Sequence, residues 1–179
     1  MADPTPQAGD DGADDIMIRS PNGRLSATVR IDDHSWNEAI NPAAVTASAI
    51  KALSESRHCP AGEIEFDLAF LTDDDVATLN SQWRGKAGPT NVLSFPSGES
   101  AAIPGPRHLG SVMLAFGVMR KEAAQRKIEL ADHTTHLILH GVLHLLGHDH
   151  MVETERLAME AAEVELLSGL GIANPYGED

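Results

Sequence analysis

The sequence predicts a single α+β domain in which a small mixed β-sheet packs against several helices. Three observations support this prediction. The chain has 179 residues, a length typical of one domain. Its hydrophobic content of 42% is sufficient for a buried core, which excludes a wholly disordered chain. Short segments with the alternation of β-strands are interspersed with longer segments that have helical spacing.

Five short segments are predicted to be strands, because they alternate or consist of strand-forming residues between turn signals. They are Ile16–Ile18, Ala27–Ile31, Glu63–Leu71, Asn91–Phe95 and Gly110–Phe116. The third is the clearest, since apolar and acidic residues alternate between positions 63 and 68. A strand of this kind buries one face.

Longer segments with an apolar spacing of three or four residues are predicted to be helices. They are Trp36–Ser54, Asp73–Trp83, Gly117–Leu130, Asp132–Leu146 and Val152–Gly169. The second begins most clearly, because Thr72 precedes three aspartates and acidic residues favour the positive end of a helix.

Charge is distributed unevenly along the chain, whose formal net charge is −14. Residues 1–15 contain five aspartates and no basic residue, so we expect a disordered acidic tail at 1–15 and one domain over 16–179. The overall charge argues against sequence-blind binding of nucleic acid by the whole surface. Only Arg84–Lys127, with 7 basic and 2 acidic residues, is positive enough to attract a polyanion.

Cysteine content and targeting signals indicate a reducing compartment. Cys59 is the single cysteine, which excludes an intrachain disulfide and any metal cluster of several cysteines. The sequence has no run of about 18 apolar residues and no basic and apolar leader, so we expect neither a membrane span nor secretion. The expected location is cytoplasmic.

Histidines supply the strongest functional pattern, since six of the nine lie between positions 133 and 150. His140 and His144 are four residues apart on an apolar helix, which places both imidazoles on one face. Gly147 favours a left-handed turn that ends the helix and brings His150 back to the same point. Three imidazoles without a cysteine are suited to Zn²⁺, and we predict one ion per chain with a fourth position open to water.

The same residues separate three classes of metal protein. Zinc peptidases of the H-E-x-x-H type have a glutamate after the first histidine, where this chain has Gly141. Zinc deaminases use cysteine ligands and a nearby glutamate base, which this chain lacks. A purely structural zinc, or another metal hydrolase, remains the alternative. Gly141 itself is unfavourable inside a helix, so either a substrate or another backbone is expected close to it.

Two blocks of sequence resemble the YbeY family of bacterial endoribonucleases. His140–His150 is similar to the signature of that family, and Arg84–Pro96 is similar to its other characteristic segment. Weaker similarity occurs at Leu109-Gly110, Lys121–Ala123 and from Met159 to Tyr176, so the resemblance covers nearly everything after the tail. One position departs from the pattern: Ser111 stands where the family commonly has an aspartate.

The resemblance implies a zinc-dependent, single-strand-specific endoribonuclease that acts in 3′-end processing of small-subunit (16S) ribosomal RNA and in ribosome quality control. It implies His140, His144 and His150 as the zinc ligands and Arg84 as the catalytic arginine. The implied partners are ribosomal RNA, the small ribosomal subunit and ribosome-associated factors, with no role for DNA or membranes. With such partners, the alternative of a structural zinc implies a ribosome-assembly factor with little catalysis.

Elementary chemistry agrees with these roles. A guanidinium and a metal ion both stabilise the negative charge that a phosphodiester gains in its transition state. Lys86 is predicted to bind substrate by attracting backbone phosphate, and Asp149 to hydrogen-bond a ligating imidazole. His133 and His148 are interpreted as surface or helix-end groups. The nucleophile is left open between a metal-activated water and the adjacent ribose 2′-hydroxyl.

Overall fold

A five-stranded mixed sheet lies at the centre of the computed structural model, which describes residues 15–98 and 104–177. Its strands are β1 (Ile16–Arg19), β2 (Leu25–Ile31), β3 (Ile64–Leu71), β4 (Val92–Pro96) and β5 (Arg107–Ala115). They lie in the order β1–β2–β3–β5–β4, with the central three parallel and each edge strand antiparallel to its neighbour. The prediction of an α+β domain with a mixed sheet is confirmed. The predicted tail lies outside the described residues except for Asp15.

Six helices accompany the sheet within the described residues. They are α1 (Ser35–Ala39), α2 (Pro42–Ser54), α3 (Asp73–Arg84), α4 (Phe116–Arg126), α5 (Leu130–Leu145) and α6 (Glu153–Gly169). None of them combines the length and the apolar character that a bilayer-spanning helix requires.

The prediction of one continuous helix over 36–54 is wrong, because the chain is extended at Ile40 and Asn41. Pro42 has no backbone N–H and therefore suits the first position of a new helix. The Asn41 side chain caps that helix by accepting from the backbone N–H of Ala44 at 3.0 Å.

Helix α3 begins at the predicted point. The Thr72 hydroxyl accepts from the backbone N–H of Asp75 at 3.1 Å, and the Asp75 carboxylate accepts from the Thr72 backbone N–H. This reciprocal capping box satisfies two donors that the first turn would otherwise leave unpaired. The helix continues without interruption from this cap to Arg84, which is its last residue.

Helix α5 carries the clustered histidines and is largely buried. Eleven of its sixteen residues are inaccessible, and it packs against β4, β5, α2, α4 and α6. A Cβ atom at Gly141 would lie 2.7 Å from Val112 Cγ1 and 3.1 Å from Ser94 Oγ. The close neighbours that require glycine are thus side chains of β5 and β4, and neither a substrate nor another backbone as the sequence had suggested.

Candidate metal centre and its cleft

Three imidazoles converge at the end of α5. His140 and His144 lie on successive turns, and their ring centroids are 4.6 Å apart. Gly147 has a φ of 98°, a backbone conformation that glycine adopts without strain, and the chain turns there. The turn places the His150 ring 4.9 Å from that of His144. One ring nitrogen from each of the three histidines lies within 4.8 Å of the others.

Hydrogen bonds at Nδ1 hold two of these rings. Nδ1 of His144 lies 2.9 Å from the backbone carbonyl oxygen of His148. Because a carbonyl oxygen only accepts, Nδ1 carries the proton and Nε2 keeps the lone pair that a metal ion requires. Nδ1 of His140 contacts Oε1 of Glu163 in the same manner. This pattern is typical of metal-binding histidines, whose second nitrogen is fixed by an oxygen acceptor.

The donor set fits a zinc-type ion. Burial lowers the pKa of His144, and the neighbouring rings of His140 and His150 lower it further, so its imidazole is neutral near pH 7. Neutral imidazole is the form that binds a metal ion. His140 and His144 are half-buried and His150 is exposed, so the centre opens to solvent on one side.

Glu163 on α6 is the residue that the sequence reasoning missed. Its carboxylate is fully buried and is contacted by Nδ1 of His140, Nε2 of His136 and the hydroxyl of Tyr176. Burial alone would raise its pKa, but these hydrogen bonds outweigh burial and lower the pKa to about 2. The carboxylate is therefore ionised when it holds the His140 ring.

A signal for Glu163 was present in the sequence. The buried face of α6 is formed by Met159, Ala162, Leu166 and Leu167, and position 163 lies on that same face. A charged residue at a position with core spacing indicates a buried partner. Its two histidine partners lie more than 20 residues away on α5, and Tyr176 lies after the end of α6. The pattern itself identifies none of them.

A second set of metal-type donors, His136, His140 and Glu163, also lies within 4.8 Å. Both histidines of this set already hydrogen-bond Glu163, with Nε2 of His136 lying 3.4 Å from Oε2 of the carboxylate. His140 contacts this set through Nδ1, which leaves Nε2 for the first set. We therefore interpret the second set as the support of the metal centre.

Replacing Glu163 with glutamine is expected to weaken zinc binding by about 10- to 100-fold. The amide oxygen of glutamine still accepts from Nδ1 of His140, but it lacks the charge that increases the basicity of the ring. Competition with a chromophoric chelator measures this affinity. Glu165→Gln is the matched control on the same helix, because Glu165 pairs with Arg57 at the surface. Wild-type affinity in Glu163→Gln would restrict that carboxylate to a role in folding.

The three histidines open into a cleft of about 610 Å³ that Arg84 also lines. Nη2 of Arg84 donates to the carbonyl oxygen of Ser94 at 3.0 Å, and the guanidinium carbon lies 5.9 Å from the Phe95 ring centroid. The Ser94 hydroxyl donates to the carbonyl oxygen of Gly141 at 3.1 Å. Ser94 thus connects the guanidinium to the helical turn that carries His140.

The other two predicted site residues, Lys86 and Asp149, differ in their relation to the cleft. Lys86 is exposed in the loop after α3 and is not among the described residues that line the cleft. Asp149 lines the cleft, and its carboxylate accepts from the backbone N–H of His150 at 2.7 Å. Its predicted bond to a ligating ring stays a prediction. The contact with the His150 backbone holds the loop that supplies the third imidazole.

Burial and strand geometry show where two further residues lie, namely His133 and Ser111. His133, interpreted as a surface or helix-end group, lies near the start of α5 but is only 2% exposed. Its Nε2 lies 2.8 Å from the Glu122 carboxylate. Ser111 precedes Val112, which faces α5 beside Gly141. Because successive strand residues point to opposite faces, Ser111 points away from the metal centre.

The family model and the curated relatives identify one family. The family model described as Endoribonuclease YbeY matches residues 30–171. The chain is 43% identical over 159 residues to the Endoribonuclease YbeY of Paramagnetospirillum magneticum, covering 86% of this chain and 97% of the relative. It is 44% identical over 147 residues to the protein of the same name from Maricaulis maris, covering 82% and 88%. A solution structure of a Thermotoga maritima protein, 17% identical, covers 84% of this chain and 100% of its own with a TM-score of 0.48.

Proposed function

The chain belongs to the endoribonuclease YbeY family, and from that premise we propose that it is a zinc-dependent hydrolase that cleaves phosphodiester bonds of single-stranded RNA. Its proposed task is 3′-end processing of small-subunit (16S) ribosomal RNA and ribosome quality control in the cytoplasm. The observation that carries the proposal is the meeting of three imidazoles and one guanidinium in a single open cleft.

The residues that would hold the ion are His140, His144 and His150. Zinc bound there supplies Lewis acidity and a positive charge on the floor of the cleft. Glu163 and the carbonyl oxygen of His148 keep two of the imidazoles in the tautomer and orientation that ligation needs. Because these acceptors fix the two rings, less reorganisation is required when an ion binds.

Arg84 is the proposed catalytic residue on the other wall of the cleft. A guanidinium presents several N–H donors in one plane and matches two oxygens of a phosphate. The Ser94 carbonyl accepts one of those donors and holds the plane, and the Phe95 ring lies beneath it. The charge is therefore oriented where a phosphodiester in the cleft gains negative charge in its transition state.

The openness of the site favours catalysis over a purely structural zinc. Structural zinc sites usually have four protein ligands and are closed. Here the set contains three histidines among the described residues, and the third of them is exposed in the cleft. The alternative of an assembly factor with a structural zinc is supported only by the acidic net charge of −14.

Local charge explains how an acidic protein would bind RNA. Arg84 and Lys86 lie within the positive segment 84–127, whereas the segments on both sides of it are acidic. Repulsion elsewhere on the surface would restrict a polyanion to the cleft side of the molecule. Lys86, exposed in the loop after α3, is proposed to attract the phosphates of the incoming strand. The proposed partners are ribosomal RNA, the small subunit and ribosome-associated factors.

The substrate class can be tested with three matched oligonucleotides. Zinc-loaded protein is expected to cleave a single-stranded RNA from the 3′ region of the small-subunit RNA. The same RNA annealed to its complement, and DNA of the same sequence, are expected to resist cleavage. Equal cleavage of all three would contradict the proposal. Equal cleavage of an unrelated single-stranded RNA would contradict only the proposed preference for ribosomal RNA.

A further inference from the structure

Trp83 is a large apolar side chain that the fold leaves in solvent. It lies in the last turn of α3, and 72% of its surface is exposed. Trp36, the second tryptophan of the chain, is fully buried against Phe70 and Phe116. One indole is therefore shielded from solvent and the other is largely exposed to it.

The exposure of Trp83 runs against the helical pattern. Val76 and Asn80 are buried on one face of α3, and position 83 lies seven and three residues after them on that same face. A side chain with this spacing would normally continue the core. Instead, residues 81–89 are exposed without interruption. Exposed indoles of this size are typical of binding surfaces.

The surroundings of Trp83 favour a nucleic acid as its partner. Trp83 directly precedes Arg84, which lines the cleft of the metal centre, and Lys86 follows two residues later. No acidic residue occurs between positions 84 and 98 of the sequence. An exposed aromatic ring within three residues of two exposed cations suits the binding of single strands, because cations attract phosphates and an aromatic ring stacks on a base.

We propose that Trp83 is a stacking platform for an unpaired base of the RNA strand whose phosphate Arg84 binds. This inference rests on the proposed function and adds a subsite to it. Trp83 and Arg84 are neighbours on α3, where adjacent Cα atoms are about 3.8 Å apart but consecutive side chains point in different directions. The stacked base therefore belongs to a nucleotide that flanks the phosphate bound by Arg84. A base inside a duplex is already stacked and paired, and it would not be available to the indole. Stacking at Trp83 therefore contributes to the preference for single strands.

The fluorescence of the two tryptophans provides a direct test. Metal-loaded protein is mixed with single-stranded oligoadenylate, and emission is recorded before cleavage proceeds. Stacking is expected to quench the long-wavelength emission of exposed Trp83, while buried Trp36 is unaffected. Inorganic polyphosphate, which carries charge without bases, is expected to leave the emission unchanged. Trp83→Phe is expected to abolish the quenching while RNA affinity stays within about threefold, because phenylalanine also stacks.

Kinetics supply the second readout. Trp83→Ala is expected to raise KM for single-stranded RNA roughly tenfold with little change in kcat, because stacking binds the ground state and the transition state equally. Met17→Ala is the matched control, since Met17 is 59% exposed on β1, at the opposite edge of the sheet from β4. It is expected to behave as wild type. Because Trp83 lies in solvent, the thermal midpoint should change little.

Three outcomes would overturn the inference, and they are distinguishable. A wild-type KM in Trp83→Ala, together with no quenching of the wild-type protein by RNA, would contradict the stacking role. The proposed function would stand in that case, because the wild-type protein still cleaves RNA. Conversion of a dimer into a monomer by Trp83→Ala in sedimentation, with unaltered RNA affinity, would assign the indole to contacts between copies of the chain. Absence of RNA binding and cleavage in the metal-loaded wild type would overturn the proposed function together with the inference.

Discussion

His144→Ala is expected to lose the bound zinc and, with it, RNA cleavage. Removing one of three imidazoles leaves two ligands on a surface open to water, which is too few for tight binding. His140→Ala is expected to lose the metal as well. Metal content of dialysed protein, measured by atomic absorption beside RNA cleavage, checks both variants. Wild type is expected to retain one ion per chain.

The control for these variants is a histidine in the turn that follows α5. His148→Ala is expected to retain the metal, because only the backbone carbonyl of His148 contacts His144. His140→Ala also leaves the buried Glu163 carboxylate without one of its three hydrogen-bond partners, at an expected cost of about 1–3 kcal/mol in the free energy of unfolding. His144→Ala is therefore the cleaner test. Equal metal retention in all three variants would contradict the ligand assignment.

Arg84→Ala is expected to slow RNA cleavage at least tenfold, which corresponds to a barrier increase of about 1.4 kcal/mol. Metal content and thermal midpoint should stay near wild type, because the side chain is exposed and contacts no imidazole ligand within the described residues. Arg84→Lys should restore little activity, since an ammonium lacks the planar pair of donors that matches two phosphate oxygens. Single-turnover kinetics on metal-loaded protein measure the effect.

The effect of reducing the net positive charge must be distinguished from the effect of removing a guanidinium from the cleft. Arg30→Ala removes the same positive charge from β2, where Arg30 pairs with Asp32. It is expected to leave cleavage almost unchanged. If both alanine variants reduced cleavage to the same extent, the effect of Arg84 would reflect net charge, and the proposed contact with the scissile phosphate would be wrong.

The parts of the fold that could be predicted from sequence are those set by neighbouring residues. The start of α3 follows from Thr72 and Asp75, which cap the same turn. The pairing of His140 with His144 follows from helix geometry alone. The break before α2 was missed even though its cause is local, because the helical spacing of the surrounding residues obscured Pro42.

Contacts between distant segments could not be predicted. Glu163 reaches His140 across 23 residues, and His133 is buried because Glu122 on α4 pairs with it. In both cases the sequence shows a polar residue on an apolar face without showing its partner. The need for Gly141 was recognised, but its cause became clear only when β4 and β5 were seen to lie against it. Tertiary packing, which the local pattern does not encode, decides these positions.

Stepwise return of zinc to metal-stripped protein tests the central claim most directly, namely that the three-histidine centre is an open catalytic site. RNA cleavage and the thermal midpoint are followed on the same samples. Stripped protein is expected to stay folded and inactive, and cleavage is expected to rise linearly until one zinc per chain has been added. Cleavage by the stripped protein, or unfolding of the chain when zinc is removed, would contradict the claim.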